Sequence, residues 1–378
     1  MMKFVVIGCG NIAQRCSIPA LMNSGVTEVV CVVDTDKNKR AIVAERFGVP
    51  FETDLQHVLN TYEFESVYIS TPNAIHLQIV EQVAPYRKNI LCEKPLAGSM
   101  ADAERMAELG MQYNIPIFEG FMYQFHAQHK VKNQLIADGA IGDVQLFQGW
   151  FGFPPIAATD FRYKKSLGGG CVLDACAYLV HSARHFYGCE PQHVYAVLSK
   201  EDGCEVETHA TILLDFGNGR VANLVTGFNN KYKSQQVLWG SKGVLLLERA
   251  YALPPDFCST LIIETQEGQT SHQMPACNHF EEDLCREITE EGKYLTDRFS
   301  PGYGDLPLEI QKDLCRMLNA SRRIGLTVSE SMLMVPCKSV TAVIGIAEEP
   351  QEHRASGCEV CNLFRTCEFR KEGGTCHG

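Results

Sequence analysis

Gly8-Cys9-Gly10-Asn11-Ile12-Ala13 sets small residues at the spacing G-x-G-x-x-A, directly after the apolar run Phe4-Val5-Val6-Ile7. Each small residue has a mechanical use. Gly8 permits a tight turn, Gly10 lets the backbone approach a pyrophosphate, and Ala13 keeps the following helix close to its strand. Asn11 and Ile12 open that helix, whose unpaired N–H groups and positive dipole end favour an anion. A second apolar run, from Val29 to Val33, ends at Asp34. A carboxylate there accepts hydrogen bonds from two ribose hydroxyls and repels a 2′-phosphate. The pattern points to a dinucleotide, NAD in preference to NADP. Lys37, Lys39 and Arg40 follow closely and partly offset the repulsion. The plainer role for Asp34 and Asp36 is capping the helix that begins before residues 41–44.

A second group able to do chemistry stands at the other end of the chain. Cys358-x-x-Cys361 is followed by Cys367, Cys376 and His377, with Gly357, Gly373 and Gly374 permitting tight turns. Thiolates at this density suit a tetrahedral zinc or an iron–sulfur cluster. Zinc knuckles usually pair two Cys-x-x-Cys units, and only one is present, so the asymmetric spacing favours iron–sulfur. A redox partner at this tail would follow.

The elements that must position these groups alternate in the first 120 residues. Residues 65–70 read as a strand ending at Thr71-Pro72-Asn73, and residues 75–83 as a helix. Residues 89–92 form another strand, ending at Glu93-Lys94-Pro95; a helix over 101–113 and a strand over 115–119 follow. Such alternation specifies a parallel, doubly wound sheet, with ligands beyond the carboxyl ends of the strands. The loops at Gly8, Thr71 and Glu93 should therefore converge on one crevice. After residue 120 a helix over 131–138 leads into strand-like runs at 144–153, 193–199, 210–216, 221–228, 236–239 and 244–247. Gly217-Asn218-Gly219 and Gly240-Ser241-Lys242-Gly243 are hairpin turns. This predicts a mostly antiparallel sheet, closed by helices near 280–291 and 308–324.

Bulk composition narrows the class. A chain of 378 residues, 45% apolar and 21% charged, is long enough for two cored domains. Its formal charge of −11 argues against nucleic acid or an anionic membrane as partner. No apolar run approaches a membrane span. Val6-Ile7-Gly8-Cys9 has the look of a lipoprotein cleavage site, but the apolar segment before it is too short for a signal peptide. A cytoplasmic location is expected. Seventeen cysteines in a reducing compartment are not a disulfide framework. Cys9, Cys16, Cys31 and Cys92 stand singly among apolar neighbours, as small hydrophobes do.

Three motifs in order resemble the glucose–fructose oxidoreductase / inositol dehydrogenase (Gfo/Idh/MocA) family: Gly8-x-Gly10-x-x-Ala13, Glu93-Lys94-Pro95, and Gly168-Gly169-Gly170 leading to Asp174-x-x-x-Tyr178. Ser70-Thr71-Pro72-Asn73-x-x-His76 and Gly120-Phe121-Met122-Tyr123-Gln124-Phe125-His126 are similar to the same family, the latter to its dihydrodiol dehydrogenase branch. The resemblance covers residues 1 to about 330 and implies that Thr71, Pro72, Asn73, His76 and Glu93 join the cofactor site. It implies that Lys94 lies beside the nicotinamide and touches the reacting hydroxyl. Oxidising a secondary alcohol does need a group that takes the hydroxyl proton as hydride leaves. Asp174 and Tyr178, four residues apart, share a helix face. In this reading Tyr178 is the acid/base, its pKa lowered by Lys94, and Asp174 orients the substrate. His181, one turn on, is the alternative acid/base or a filler of the helix–sheet junction. Arg162 is a cofactor or substrate contact. The chain departs from the branch at Gln124, Ala127 and Ala175-Cys176. The tail from Met334 through the cysteines also resembles the C-termini of cobalamin-dependent methionine synthase activation proteins.

The sequence thus predicts an α/β chain: a Rossmann domain over 1–120, an α+β substrate and dimerisation domain with a large open sheet over 121–330, and a Cys-rich tail over 331–378. Its expected activity is NAD(P)-dependent hydride transfer to or from a secondary alcohol or ketone of a sugar, nucleotide-sugar, cyclitol or related polyol. A homodimer or homotetramer is the family expectation. The rival is a cofactor-binding regulatory or electron-relay protein built around the cysteine cluster.

Overall fold

A computed structural model describes residues 1–254 and 257–274 in full, with the backbone of four two-residue strands further on. The four tail cysteines and the helices expected at 280–291 and 308–324 lie outside the described residues. The chain divides into two compact units, Met1–Cys285 and Arg286–Gly378. The two large sheets belong to the first.

The first sheet has six parallel strands: β1 (Met2–Ile7), β2 (Thr27–Val33), β3 (Phe51–Glu52), β4 (Ser66–Ile69), β5 (Asn89–Glu93) and β6 (Ile117–Gly120). Their spatial order is β3-β2-β1-β4-β5-β6. The order reverses direction between β1 and β4, the switch point where a crevice opens. Val5, Val6, Val32, Val67, Ile69 and Ile90 are fully buried, as continuous apolar runs covered on both faces require. The helices are α1 (Ile18–Asn23), α2 (Lys39–Phe47), α3 (Leu55–Thr61), α4 (His76–Val83) and α5 (Met100–Tyr113). Ser99 caps α5 by accepting from the Asp102 N–H at 3.2 Å.

One local departure matters. The turn between Gly10 and α1 is a π-helix, Ala13–Ser17, and not the start of a regular helix. Widening that turn buries Ala13, Ser17 and Ile18, while Cys16 stays half-buried. Such π-turns occur frequently at functional sites.

The second sheet has eight strands in the order β14-β13-β12-β11-β7-β10-β9-β8. They are β7 (Val144–Gly152), β8 (His193–Ser199), β9 (His209–Asp215), β10 (Val221–Gly227), β11 (Lys233–Gly240), β12 (Gly243–Leu247), β13 (Thr260–Thr265) and β14 (Gly268–Gln273). All neighbours are antiparallel except β7 and β10. Its inner face packs Phe147, Leu224, Leu238, Leu245 and Leu261 against α7 (Ala177–Tyr187) and α6 (Ala127–Ala137). Both expected hairpin turns are present, with Gly217, Asn218 and Gly219 at positive φ. β13 and β14 were not legible in the sequence: Gly268–Gln273 is polar throughout and exposed along nearly all its length, so no alternation marks it. Among the described residues no helix is long and apolar enough to cross a membrane. The described cysteines are free thiols, several of them buried.

Candidate active site

The crevice at the switch point is a cleft of about 650 Å³. Its Rossmann wall is made by Gly8, Gly10, Asn11, Ile12, Asp34 and the Ser70-Thr71-Pro72 strand end. Gly8 is obligatory: its φ is +94°, and a Cβ there would lie 2.5 Å from the Ser70 carbonyl oxygen. Gly10 is different. A Cβ on it would meet only ordinary contact, 3.9 Å from the same oxygen. Protein packing does not require its smallness, which leaves room for a phosphate at the helix start. Thr71 Oγ1 is buried without a hydrogen-bond partner among the described residues. A donor-rich, partly unsatisfied wall of this kind fits a dinucleotide.

Asp34 lies at the end of β2. Its Oδ2 accepts from the Cys9 N–H and from Lys39 Nζ, each at 2.7 Å, and its Oδ1 accepts from the Asp36 N–H at 2.9 Å. Burial would raise its pKa, but the lysine and the two backbone donors win and hold it below the usual carboxylate range. Neither acid caps α2 in the expected way: its N-cap is Asn38, without a side-chain cap hydrogen bond, and the Asp36 carboxylate accepts from the Asn38 N–H at 3.0 Å in the turn before the helix.

The opposite wall gathers residues distant in sequence. Lys94 follows β5, with a cis peptide bond to Pro95. Its Nζ donates to Asp174 Oδ1 and to the Asp174 carbonyl, both at 2.9 Å. The other oxygen of Asp174 accepts from Arg162 Nε at 2.7 Å, and Arg162 also pairs with Asp160 at 3.2 Å. Side chains of Lys94 and Asp174 are only 10% and 12% exposed. Burial would raise the Asp174 pKa; the two cations overcome it and hold the carboxyl down at about 2. Asp174 sits in a second π-turn, Val172–Cys176, ahead of α7. Glu93 is the reverse case. Burial raises its pKa despite a hydrogen bond from Tyr68 Oη and one from the Lys94 N–H.

Tyr178 differs from expectation. Lys94 Nζ stands 4.7 Å from the centre of its ring, while its hydroxyl is directed at Met122 Sδ, 3.8 Å away. The ring is packed edge-on to Phe121, Tyr123 and Phe151 and does not line the cleft. Burial, aided by the charges of Glu93 and Asp174, pushes the phenol well above its ordinary pKa, not below it. His181 also stands back: its ring stacks on Phe121 at 4.0 Å and its Nδ1 meets Tyr123 Oη at 2.8 Å. Burial lowers its pKa to about 4.

Asn73 and His76, expected at the cofactor, support the wall from behind. Asn73 Nδ2 donates to the Gly168 carbonyl at 3.0 Å, tying the glycine run to the Rossmann half. The His76 ring bridges the carbonyls of Thr71 and Leu96 at 3.0 and 3.1 Å. Sequence reasoning missed Thr35, Gln78, Ile79, Asp160 and Phe161, all of which line the cleft. Gln78 and Ile79 carry no signal beyond an ordinary amphipathic helix.

Residues 2–121 match the family model for the NAD-binding Rossmann fold of the Gfo/Idh/MocA oxidoreductases, and residues 130–246 match the model for their C-terminal domain. A dTDP-3,4-didehydro-2,6-dideoxy-α-D-glucose 3-reductase of Saccharopolyspora spinosa is 33% identical over 276 residues, 72% of this chain and 82% of that one. The chain belongs to the Gfo/Idh/MocA family. It is a nicotinamide-dependent oxidoreductase of that family acting on CH–OH and keto groups. Another relative is a D-xylose 1-dehydrogenase (NADP(+)) of Haloferax volcanii, 28% identical over 266 residues, 70% of this chain and 81% of that one. Among solved structures, a 3-ketoreductase from Actinomadura kijaniata in complex with NADP and TDP-benzene superposes with a TM-score of 0.73 at 28% identity, covering 76% of this chain and 88% of that one. Residues 277–359 match a third model, the activation domain of vitamin B12 dependent methionine synthase. Among the described residues no group of His, Cys, Asp and Glu could hold a metal ion.

Proposed function

We propose that this oxidoreductase interconverts a ketone and a secondary alcohol on the ring of a sugar or nucleotide-sugar, with Lys94 as the proton-handling residue. The carrying observation is the ammonium of Lys94 at a strand end beside the cleft, fixed by Asp174 and by the Tyr178 ring. A bound nicotinamide supplies or accepts the hydride. In reduction the Lys94 ammonium donates a hydrogen bond and then its proton to the ketone oxygen and is re-protonated from solvent; in oxidation the neutral amine takes the alcohol proton. Asp174 holds the lysine in place, and Arg162 keeps Asp174 ionised. Tyr178 stays protonated and contributes its ring face, a geometry that stabilises an adjacent ammonium. His181, neutral and stacked, serves packing.

Gly8, Gly10, Asn11, Ile12, Asp34, Thr71, Pro72 and Glu93 would hold the cofactor, and Asp160, Phe161 and Arg162 the sugar. The relatives reduce a nucleotide-linked keto-sugar or oxidise xylose by their names, which supports this substrate class. The test is a Lys94→Ala variant assayed across nucleotide-sugars and free aldoses, with NADH and NADPH binding measured separately. Unchanged turnover removes the role given to Lys94.

We read the open face of the second sheet as a homodimer or homotetramer surface. Tyr195, Val197, Leu213 and Trp239 lie on that one face, and Val197 is 73% exposed. Sedimentation of the purified chain as a monomer would overturn this. We take the chain as three parts divided near 120 and 330. The third, with Cys358, Cys361, Cys367 and Cys376, supports a second reading: a metal-holding appendage, iron–sulfur or zinc, with a redox partner. The match of residues 277–359 favours an accessory role for this end. Metal analysis and the visible absorbance of anaerobically purified protein test it; a colourless, metal-free protein discards it.

A further inference from the structure

Asp34 is nearly used up before any ligand arrives. A carboxylate offers about four lone-pair directions, and three are taken, by the Cys9 N–H, the Asp36 N–H and Lys39 Nζ. The two backbone donors are fixed by the glycine turn and by the start of the β2–α2 loop. Lys39 is not fixed. Its ammonium rides on a four-carbon stem, its side chain is 28% exposed against 10% for Asp34, and it lines the cleft together with Thr35. An adenosine ribose with two free hydroxyls brings two donors to an acid that has room for about one. It can be accepted fully only if Lys39 lets go. A 2′-phosphate, in contrast, brings no donor but a charge that Lys39 can meet.

We propose that Lys39 is a movable counter-ion that lets one site take both NAD and NADP: it leaves Asp34 when the ribose is unmodified and pairs with the 2′-phosphate when it is not. The structure selects Lys39 from the three cations that follow Asp34. The Arg40 guanidinium lies over the Phe51 ring at 5.5 Å, and of the described ion pairs to Asp34 Lys39 makes the single one. Discrimination between the two cofactors should then be shallow, because the acid that repels phosphate carries its own neutralising partner. A bare acid at the end of β2 would reject NADP steeply. This inference rests on the dinucleotide reading of the cleft and deepens it.

The experiment is fluorescence titration of the full chain with NADH and with NADPH, in the absence of substrate, for wild type, Lys39→Met and Lys39→Arg. Wild type should bind both within about tenfold of each other. Lys39→Met should raise the NADPH-to-NADH ratio of dissociation constants at least tenfold, chiefly by weakening NADPH. Lys39→Arg should restore most of the NADPH affinity, since the charge and reach remain. Equal weakening of both cofactors by Lys39→Met, or a wild type that rejects NADPH by a thousandfold, overturns the role of Lys39. Wild-type protein that binds neither dinucleotide overturns the cofactor reading itself, so the two failures are distinct.

Discussion

Gly8, Gly10, Ser70 and Thr71 build one wall of the cleft largely from backbone, at the ends of β1 and β4, which are neighbours in the sheet although β2 and β3 lie between them in the chain. Lys94, Arg162 and Asp174 build the other from ionised side chains, drawn from the end of β5, from a short 3-10 turn (Phe161–Tyr163) and from a π-turn eighty residues after Lys94. The first wall binds by geometry: strand ends, a glycine at positive φ and a helix start leave donors facing an anion. The second binds by charge held out of water, where each group depends on its partners. A substitution on the first wall should change cofactor affinity and spare the chemistry. One on the second should change the chemistry and, where it strands a charge, the stability.

Removing Lys94 is the sharpest test of that difference. Lys94→Ala should lower turnover by roughly a thousandfold, within the range of proton-transfer contributions, while NADH titration stays close to wild type. Asp174→Ala should cost about 3–5 kcal/mol in denaturant unfolding, because two largely buried cations lose their shared partner. The Asp174 pKa of about 2 lies below its ordinary 3.8, so its stabilising contribution is complete above the ordinary value and is lost as pH falls toward about 2.

On the glycine wall the two glycines should separate. Gly8→Ala should destabilise the fold by about 2–3 kcal/mol, since the new Cβ meets backbone and the φ is strained. Gly10→Ala should leave the unfolding midpoint within about 1 kcal/mol of wild type and weaken dinucleotide binding. Equal effects of the two on stability would show that Gly10 serves packing after all. A smaller effect comes from His181. Its folded pKa of about 4 lies below the ordinary 6.5, so the unfolded chain binds more protons between those values. Stability should fall on acidification through that window, and His181→Phe should remove up to about 1.4 kcal/mol per pH unit from the slope. Smallest of all, Tyr178→Phe should keep turnover within about a few-fold, because the ring face under Lys94 remains. A loss as deep as that of Lys94→Ala would restore the phenol as the acid/base.

The Rossmann half was legible because its signals are local. A buried parallel strand is a continuous apolar run, and the turn that follows must be glycine, so Phe4 to Ala13 and Val29 to Asp34 announce themselves within thirty-odd residues. The motifs likewise marked Lys94 and Asp174 as residues of one site. What these local patterns left open was the orientation of side chains across distance. Tyr178 shares a helix with Asp174, yet the aromatic cluster of Phe121, Tyr123 and Phe151 turns its hydroxyl to Met122. Asn73 and His76 open the 3-10 turn and the helix that follow the Thr71-Pro72 strand end, yet backbone carbonyls claim them. Spacing along the chain decides which strand end a residue occupies; packing of residues far apart decides what its polar atoms find there. The amino-acid order alone determined two sheets, a dinucleotide turn and the presence of a lysine at the mouth of β5. Only the folded chain decided that this lysine has an ionised carboxylate and a ring face as neighbours, because those partners become adjacent once the π-turn and α7, packed on the second sheet, meet the end of β5.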